Sequence, residues 1–432
     1  MAKHIKVCVT GDSLISMGQA VYDEPRFLDM VETIRNNDVS FTNLETTVHD
    51  FEAYPAAQSG GTWTRADPSL IDDLQWMGFN IVSTANNHSL DYMYEGLLST
   101  REYLDMSGLA HAGTGEDLAE ARAPAFLETK AGRVALIAAS SSFAPFGAAG
   151  YARRDLQGRP GLNPLRFDTQ YAVKKEQLES LRQIAQSLGF QPSAQQEAEF
   201  NFLRNKFIAS DALAVHTEPH KGDMHGNLES IRFASRQADW VIFSLHAHES
   251  RVENADRPAE FIETFAHACI DTGAHAFIGH GPHVLRGIEI YKGRPIFYSL
   301  GNFIFQNDTI LRMPSDFYEQ YGLDPYSGTP ADAFDAREKG VTRPGFPPGK
   351  WFTQEKKYWV SIAAKMQFDS DKLSDLRLYP LVLGQEKPRS QRGRPMLAEG
   401  DEASEILERV KTLSQPYGTT IQVEEEVGIV KI

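Results

Sequence analysis

At 432 residues the chain is far above the size at which burying a core is difficult, and it accommodates one large α/β domain with insertions or two domains. Its 43 Lys and Arg stand against 58 Asp and Glu, a formal charge of −15 that disfavours sequence-independent binding to nucleic acid or to an anionic membrane. The opening apolar run stops at Gly11-Asp12, too short for a signal-peptide core, and no stretch approaches the roughly 20 apolar residues of a spanning helix.

Residues 4–10 alternate and break at Gly11-Asp12-Ser13, which predicts a buried strand carrying Asp12 at its carboxyl end. A helix is expected over 25–35, where apolar residues recur at three- and four-residue spacing after an early proline. Residues 39–45 read as a strand ending in Glu45. The stretch 50–66, rich in Gly, Ala and Ser and containing Trp63 and Arg65, reads as a loop over the face where the strands end. A second helix over 68–77 leads to a third strand at 80–85, which runs into Asn86-Asn87-His88. A helix over 94–106 and a strand over 134–139 follow. This alternation implies a mostly parallel sheet covered on both faces.

From about 143 to 221 the regular spacing lapses, and the segment reads as an insertion with helices over 174–188 and 198–208. The strand 240–245 then stops at His246-Ala247-His248-Glu249. After a helix over 259–272, the apolar run Ala276-Phe277-Ile278 closes in Gly279-His280-Gly281-Pro282-His283. Strands at 287–291 and 295–300 bracket the turn Lys292-Gly293-Arg294, and 301–305 is expected to finish that hairpin. Residues 307–350 form a second irregular excursion, read as a substrate-covering loop or a surface linker. Strands at 358–366 and 376–382, a helix over 402–413 and a β tail over 420–432 complete the chain. The division is therefore a core over 1–306 with its insertion at about 143–221, the loop insertion 307–350, and 351–432 completing the same domain. Cys8 and Cys269 sit in apolar patterns without metal-like spacing and read as reduced, buried thiols of a cytoplasmic protein.

Ligands at the carboxyl ends of neighbouring parallel strands converge on the crevice where open α/β sheets bind. Here those ends offer Asp12, Glu45, Asn87, His88, His246, His248, His280 and His283. Singly each has an ordinary alternative: an N-cap for Asp12, turn formers for Glu45 and Asn87, buried ring donors for the histidines. Together, carboxylate, amide oxygen and imidazole suit one or two divalent ions of the Mn, Fe or Zn type and argue against a thiolate site. Two such ions sharing a carboxylate lower the pKa of a bound water and polarise an oxyanion or carbonyl.

Gly11-Asp12, Asn43-Leu44-Glu45, Ala85-Asn86-Asn87-His88 with Asp91, His246, and Gly279-His280-Gly281-Pro282-His283 resemble, in order and placement, the motifs of the CapA family. Tyr298-Ser299-Leu300-Gly301-Asn302-Phe303-Ile304-Phe305 resembles its other signature. That family, named for capsule and poly-γ-glutamate biosynthesis, is related to the calcineurin-like metallophosphatases. The resemblance implies an α/β fold with a metallophosphatase-like β-sandwich core flanked by helices. It also implies Glu45 as bridging carboxylate, Asp12 and His283 at one metal position, and Asn87, His246 and His280 at the other. His88 would be the imidazole that handles a substrate or leaving-group proton, and Asp91 would orient it. Metallophosphatases usually carry a histidine two residues after the first Asp, where this chain has Leu14. CapA-like proteins often follow the fourth-motif His with Trp-Gly, where this chain has Ala247-His248, so His248 is an added ligand, a substrate contact or an acid/base group.

Arg65 and Arg286 are candidates for a substrate carboxylate or phosphate, because a guanidinium fork matches either. His216, His220 and His225 read as a solvated loop. The resemblance implies a metal-dependent hydrolase acting on a small phosphorylated or peptide-like substrate. A metal-dependent peptide epimerase, with His248 and His88 exchanging an α-proton, and a non-catalytic role in polyglutamate capsule assembly are the alternatives. The oligomeric state has no sequence signal.

Overall fold

Strands buried on both faces fix the layering. In Trp240–His246, the side chains of Trp240 and Ile242 join one hydrophobic cluster, and Val241, Phe243 and Leu245 join another. Arg133–Ser140 divides the same way, with Val134, Leu136 and Ala138 to one side and Ala135, Ile137 and Ala139 to the other. Successive side chains of a strand point to opposite faces, so a nearly continuous apolar run implies cover on both.

The computed structural model describes residues 4–190, 198–340 and 352–432. Among these, a ten-stranded sheet has His4–Leu14 near its centre, followed in parallel by Val39–Leu44, Ile81–Ser83 and Ala110–Ala112. On its other side His4–Leu14 pairs antiparallel with Val360–Asp369, which leads through Lys372–Val382 to the hairpin Ile421–Glu424 and Val427–Val430. A six-stranded sheet runs Ile288–Tyr291, Arg294–Phe297, Ala276–His280, Trp240–His246, Arg133–Ser140, Ala125–Glu128. The two sheets share one cluster: Val7, Val9 and Phe41 of the first pack with Ile242, Ile278 and Phe297 of the second.

Helices cover the outer faces. Pro25–Arg35 buries Phe27, Met30, Val31 and Ile34, and Gly400–Ser414 buries Ile406, Leu407 and Val410 into the shared cluster. Glu260–Thr272 buries Phe261, Phe265 and Cys269 against the second cluster. Each fully buried side chain of this size contributes roughly 1.5–3 kcal/mol. The observed architecture is thus mixed α/β with several sheets, and among the described residues no helix is long and apolar enough to cross a membrane.

Three expectations about elements are corrected. Asn302–Phe305 does not extend the hairpin before it but pairs in parallel with His4–Leu14, in the other sheet. Residues 198–208 are not a helix but the strands Glu199–Phe202 and Asn205–Ala209, joined by Leu203 and Arg204 at φ of 48° and 65°. Two positive-φ residues make the two-residue turn whose twist matches a hairpin, and the apolar spacing of 200, 203, 207 and 208 only mimics a helix. These strands join Phe167–Val173 and Ala214–Pro219 in a four-stranded sheet. The described part of 307–350 is not irregular throughout: Ser315–Gln320 and Pro330–Glu338 are helices, with Phe317 and Phe334 packed on Trp63 and Tyr92. Residues 341–350 lie outside the described residues.

Asn302–Phe305 reaches His4–Leu14 because Gly11 has no side chain. A Cβ on Gly11 would lie 1.8 Å from the Gly301 carbonyl oxygen, a backbone atom whose partner is the Asp12 N–H at 3.0 Å. Gly11→Ala is therefore expected to destabilise the fold by about 2–4 kcal/mol, read from denaturant unfolding, through overpacking against backbone. Gly61, whose added Cβ meets nothing within 4 Å, is the matched control and should tolerate alanine.

Candidate metal centre

Parallel strands from both sheets end on one rim. Asp12 pairs in register with Asn43 on one side and Asn302 on the other. His246 and His280 are the last residues of neighbouring strands and face each other in register. Glu45 follows Val39–Leu44 directly, and its N–H donates to the Ser13 carbonyl at 3.1 Å. After His280 the chain folds back: Gly281 adopts φ of 113°, and its N–H donates to Asp12 Oδ2 at 3.1 Å. His283 sits at φ of 58°, a left-handed conformation costing a side-chain-bearing residue about 1–2 kcal/mol.

The buried side chains converge on two carboxylates. Asp12 Oδ1 lies 3.7 Å from His246 Nδ1 and 3.8 Å from His280 Nδ1, and Asp12 Oδ2 lies 3.6 Å from His283 Nδ1. Glu45 Oε1 lies 3.5 Å from His246 Nε2, 3.7 Å from His283 Nε2 and 4.0 Å from His88 Nε2. Two sets of donors come within 4.8 Å of one another: Asp12, Glu45 and His283, and Glu45, His246 and His248. Glu45 belongs to both. His248 joins it through His246, with the two Nε2 atoms 3.0 Å apart. His280 stands outside both triads, beside Asp12.

These residues fit a divalent cation. Both oxygens of Glu45, Oδ1 of Asn87 and both ring nitrogens of His280 are buried without a hydrogen-bond partner. Buried polar atoms are rarely left so, and bound ions are one reason they are. Burial, with the Asp12 and Asp91 carboxylates nearby, pushes the Glu45 carboxyl well above its usual range, a penalty that an adjacent cation offsets. Burial alone would also raise Asp12, but the imidazoles of His246, His283 and His280 gathered around it hold it well below the usual carboxylate range. Burial lowers His246, lowers His248 further beside His246 and His283, and lowers His280 to about 4. A neutral imidazole is the ligating form. Both cysteines are buried elsewhere in the hydrophobic core, so the donors remain oxygen and nitrogen.

A surrounding layer sets each ring. Asn302 Nδ2 donates to the Tyr358 carbonyl at 3.0 Å, so its Oδ1 accepts from His283 Nδ1 at 2.9 Å and leaves His283 Nε2 unprotonated toward Glu45. Asn43 Nδ2 donates to Asp12 Oδ1 at 2.8 Å and lies 3.2 Å from His246 Nδ1. His88 Nδ1 donates to Asp91 Oδ2 at 2.6 Å. Asp91 is itself fixed by the Thr64 N–H at 2.7 Å and the Ser59 hydroxyl at 2.8 Å. Glu249 accepts from the hydroxyls of Ser141 and Ser142, and Ser142 Oγ accepts from the His248 N–H at 2.9 Å. Asn43, Asn302, Glu249 and the two serines carry roles not foreseen from sequence. Asn43 and Asn302 lay inside motifs already recognised; nothing singled out the serines.

Neither arginine proposed for substrate lines the cleft, which corrects that expectation. Arg65 is buried, donates from Nε to the His49 carbonyl at 2.6 Å, and pairs with Asp50 and Asp67. Arg286 is buried and donates to the carbonyls of Glu249 at 3.0 Å and His248 at 3.3 Å, so it braces the loop that presents His248. The expected loop of His216, His220 and His225 is a strand and a helix: His216, on Ala214–Pro219, pairs with Glu260, and His220 caps Lys221–Ala234, which contains His225.

Two lobes open beside the centre, of about 370 and 330 Å³, and Gly60, Asn87 and His248 line both. A Cβ on Gly60 at that seam would lie 2.3 Å from Asn87 Nδ2, so a larger residue there would displace the Asn87 amide.

The family described as bacterial capsule synthesis protein PGA_cap matches residues 6–307, a span that contains every donor named above. This chain belongs to that family. The membership agrees with the CapA resemblance of the motifs. Among similar proteins, an uncharacterized protein of Sinorhizobium fredii is 39% identical over 431 residues, covering 98% of this chain and 92% of that protein. A probable polyglutamine synthesis accessory protein of Mycobacterium tuberculosis is 29% identical over 270 residues, covering 62% of this chain and 55% of its own length. The capsule biosynthesis protein CapA of Bacillus anthracis is 25% identical over 274 residues, covering 63% and 51%.

Because Glu45 belongs to both triads, Glu45→Ala is expected to lower bound metal more than His248→Ala or His283→Ala does, and His88→Ala least of all. Elemental analysis after dialysis against a weak chelator reads this directly. Full metal retention in Glu45→Ala would remove the shared-carboxylate assignment.

Proposed function

We propose that this protein is a metal-dependent hydrolase of a metallophosphatase-like type, acting on a phosphoryl or peptide-like substrate. The observation that carries the reading is the sharing of Glu45 by two donor triads beside an oriented His88–Asp91 pair. Asp12, Glu45, His246, His248 and His283 would hold one or two divalent ions, with Asn87 and His280 offering the remaining unpartnered donors. A divalent ion bound there supplies a Lewis acid for an oxyanion or carbonyl and lowers the pKa of a water.

The chain's own residues then do the following. Asp91 holds the Nδ1 proton of His88 and stabilises the ring when it is cationic, so that Nε2 is the atom that gives a proton to a leaving group. Asn302 and Asn43 keep His283 and His246 in fixed orientations. Arg286 and Glu249 hold the loop of His248 against the seam of the two lobes. This reading takes residues 1–306 as the core that carries the chemistry, with the strands and helix of 351–432 completing the same domain.

A second reading has one observation in its favour. His88 and His248 line the same lobe, the arrangement that a peptide epimerase needs to remove and return an α-proton. The names of the relatives from Mycobacterium tuberculosis and Bacillus anthracis supply the context of polyglutamine synthesis and capsule biosynthesis, which a non-catalytic member could serve by binding alone.

Bis(p-nitrophenyl) phosphate turnover by protein reconstituted with Mn, Fe or Zn tests the hydrolytic reading. On a dialkyl phosphodiester, whose alkoxide leaving group needs a proton, His88→Ala is expected to lower kcat about 10²–10⁴-fold at unchanged metal content, the range of general acid–base catalysis, with a smaller loss on the p-nitrophenyl ester. Absence of turnover with all three metals, together with solvent deuterium entering a peptide α-position, would replace it with the epimerase.

A further inference from the structure

The two lobes are not built as an anion-binding cleft. One wall of the larger lobe is apolar, formed by Phe143, Pro145 and Phe146 with Leu90 and Leu162. The same lobe is lined by the neutral polar groups of Gln58, Ser59 and Asn86 and by the acidic Asp91. The smaller lobe repeats this mixture, with Leu14, Pro282 and Tyr358 beside Thr62 and Asn307. Among the described residues, neither lobe is lined by Lys or Arg. Arginines on flanking segments are engaged by the protein itself: Arg159 donates to the Ala148 carbonyl at 3.0 Å, Arg337 to Thr62 Oγ1 at 2.7 Å, and Arg286 to the loop of His248.

Charge at the seam points the same way. Asp12, Glu45 and Asp91 are buried there, and among the described residues no Lys or Arg pairs with them, only imidazoles. Bound cations would offset that charge where the two lobes meet and hold one anionic or carbonyl oxygen. They would leave nothing for a second or third carboxylate further along either lobe, where a row of negative charges meets apolar carbon and neutral amides. The lobes share Gly60, Asn87 and His248, so an extended chain that occupies both passes His248, with His88 lining the smaller lobe.

Resting on the metal-dependent reading above, we infer that the ligand is a neutral peptide-like chain with an apolar or aromatic side group seated against Phe143 and Phe146, and not a run of glutamates. Aromatic and aliphatic side groups gain from burial against such rings, and the amides of Gln58 and Asn86 match a peptide backbone.

Two four-residue probes decide it: acetyl-Ala-Phe-Ala-Ala amide and tetra-γ-glutamate, titrated calorimetrically into metal-reconstituted His88→Ala protein, in which turnover is suppressed. The neutral probe is expected to bind at least about tenfold more tightly, and adding Phe143→Ala and Phe146→Ala is expected to cost it about tenfold or more, at unchanged metal content and Tm. Tighter binding of the glutamate oligomer, no binding of the neutral probe, or indifference to loss of both rings overturns the inference. Wild-type phosphodiester turnover is scored separately. Turnover with a preference for tetra-γ-glutamate retains the hydrolase and discards the apolar ligand, whereas tight neutral binding without turnover does the reverse.

Discussion

A carboxylate buried with neither oxygen hydrogen-bonded is the constraint around which this molecule is arranged. Leaving Glu45 charged in that position costs several kcal/mol unless an opposite charge sits beside it, and burial lowers the neighbouring His246 and His248 away from the charged form that could supply one. The donors around it converge closely enough to share a cation, and the hydrogen bonds that could have quenched them run instead to the layer behind. Asn302 takes the Nδ1 proton of His283, Asn43 contacts both Asp12 and His246, and Gly281 donates its N–H to Asp12.

The fold serves that arrangement by bringing two sheets to a common rim. Asp12 and Glu45 come from the larger sheet, and His246 and His280 from the smaller. The shared hydrophobic cluster fixes one sheet against the other, so the separation of carboxylates from imidazoles is set by side-chain packing and not by a loop. Loops carry the rest of the site, since Asn87, His88, His248 and His283 all follow strands that have already ended. Gly281 turns the chain back after His280, and Gly11 lets Asn302 approach closely enough to reach His283. The strain at His283 is the residual cost of aiming its ring inward.

Much of this was legible in the sequence because strands covered on both faces are nearly continuous apolar runs, and the polar residue that ends each run stands out. Asp12, Glu45, Asn87, His246 and His280 were visible for that reason. The division of those strands between two sheets was not, since apolar runs look alike whichever sheet they enter. The pairing of Asn302–Phe305 with His4–Leu14 was hidden by a preceding hairpin that seemed to continue into it. The strands at 199–209 were hidden because Leu203 and Arg204 make a positive-φ turn without the Asn or Gly that usually marks one. Arg65 and Arg286 show a different limit. A guanidinium reads the same in sequence whether it meets a ligand or backbone carbonyls, and here both meet carbonyls.

Among the described residues the lobes beside the centre carry no Lys or Arg in their lining, and the buried carboxylates lie at the centre itself. The whole account therefore turns on whether Glu45 is a metal-binding carboxylate. A crystal of the protein grown with Mn and measured at an anomalous wavelength decides this most directly. An ordered anomalous peak coordinated by Glu45 together with His246 or His283 is expected, and a second peak, where present, shares the same carboxylate. An ordered ion bound elsewhere with Glu45 uncoordinated, or no ordered ion at saturating Mn, would contradict it.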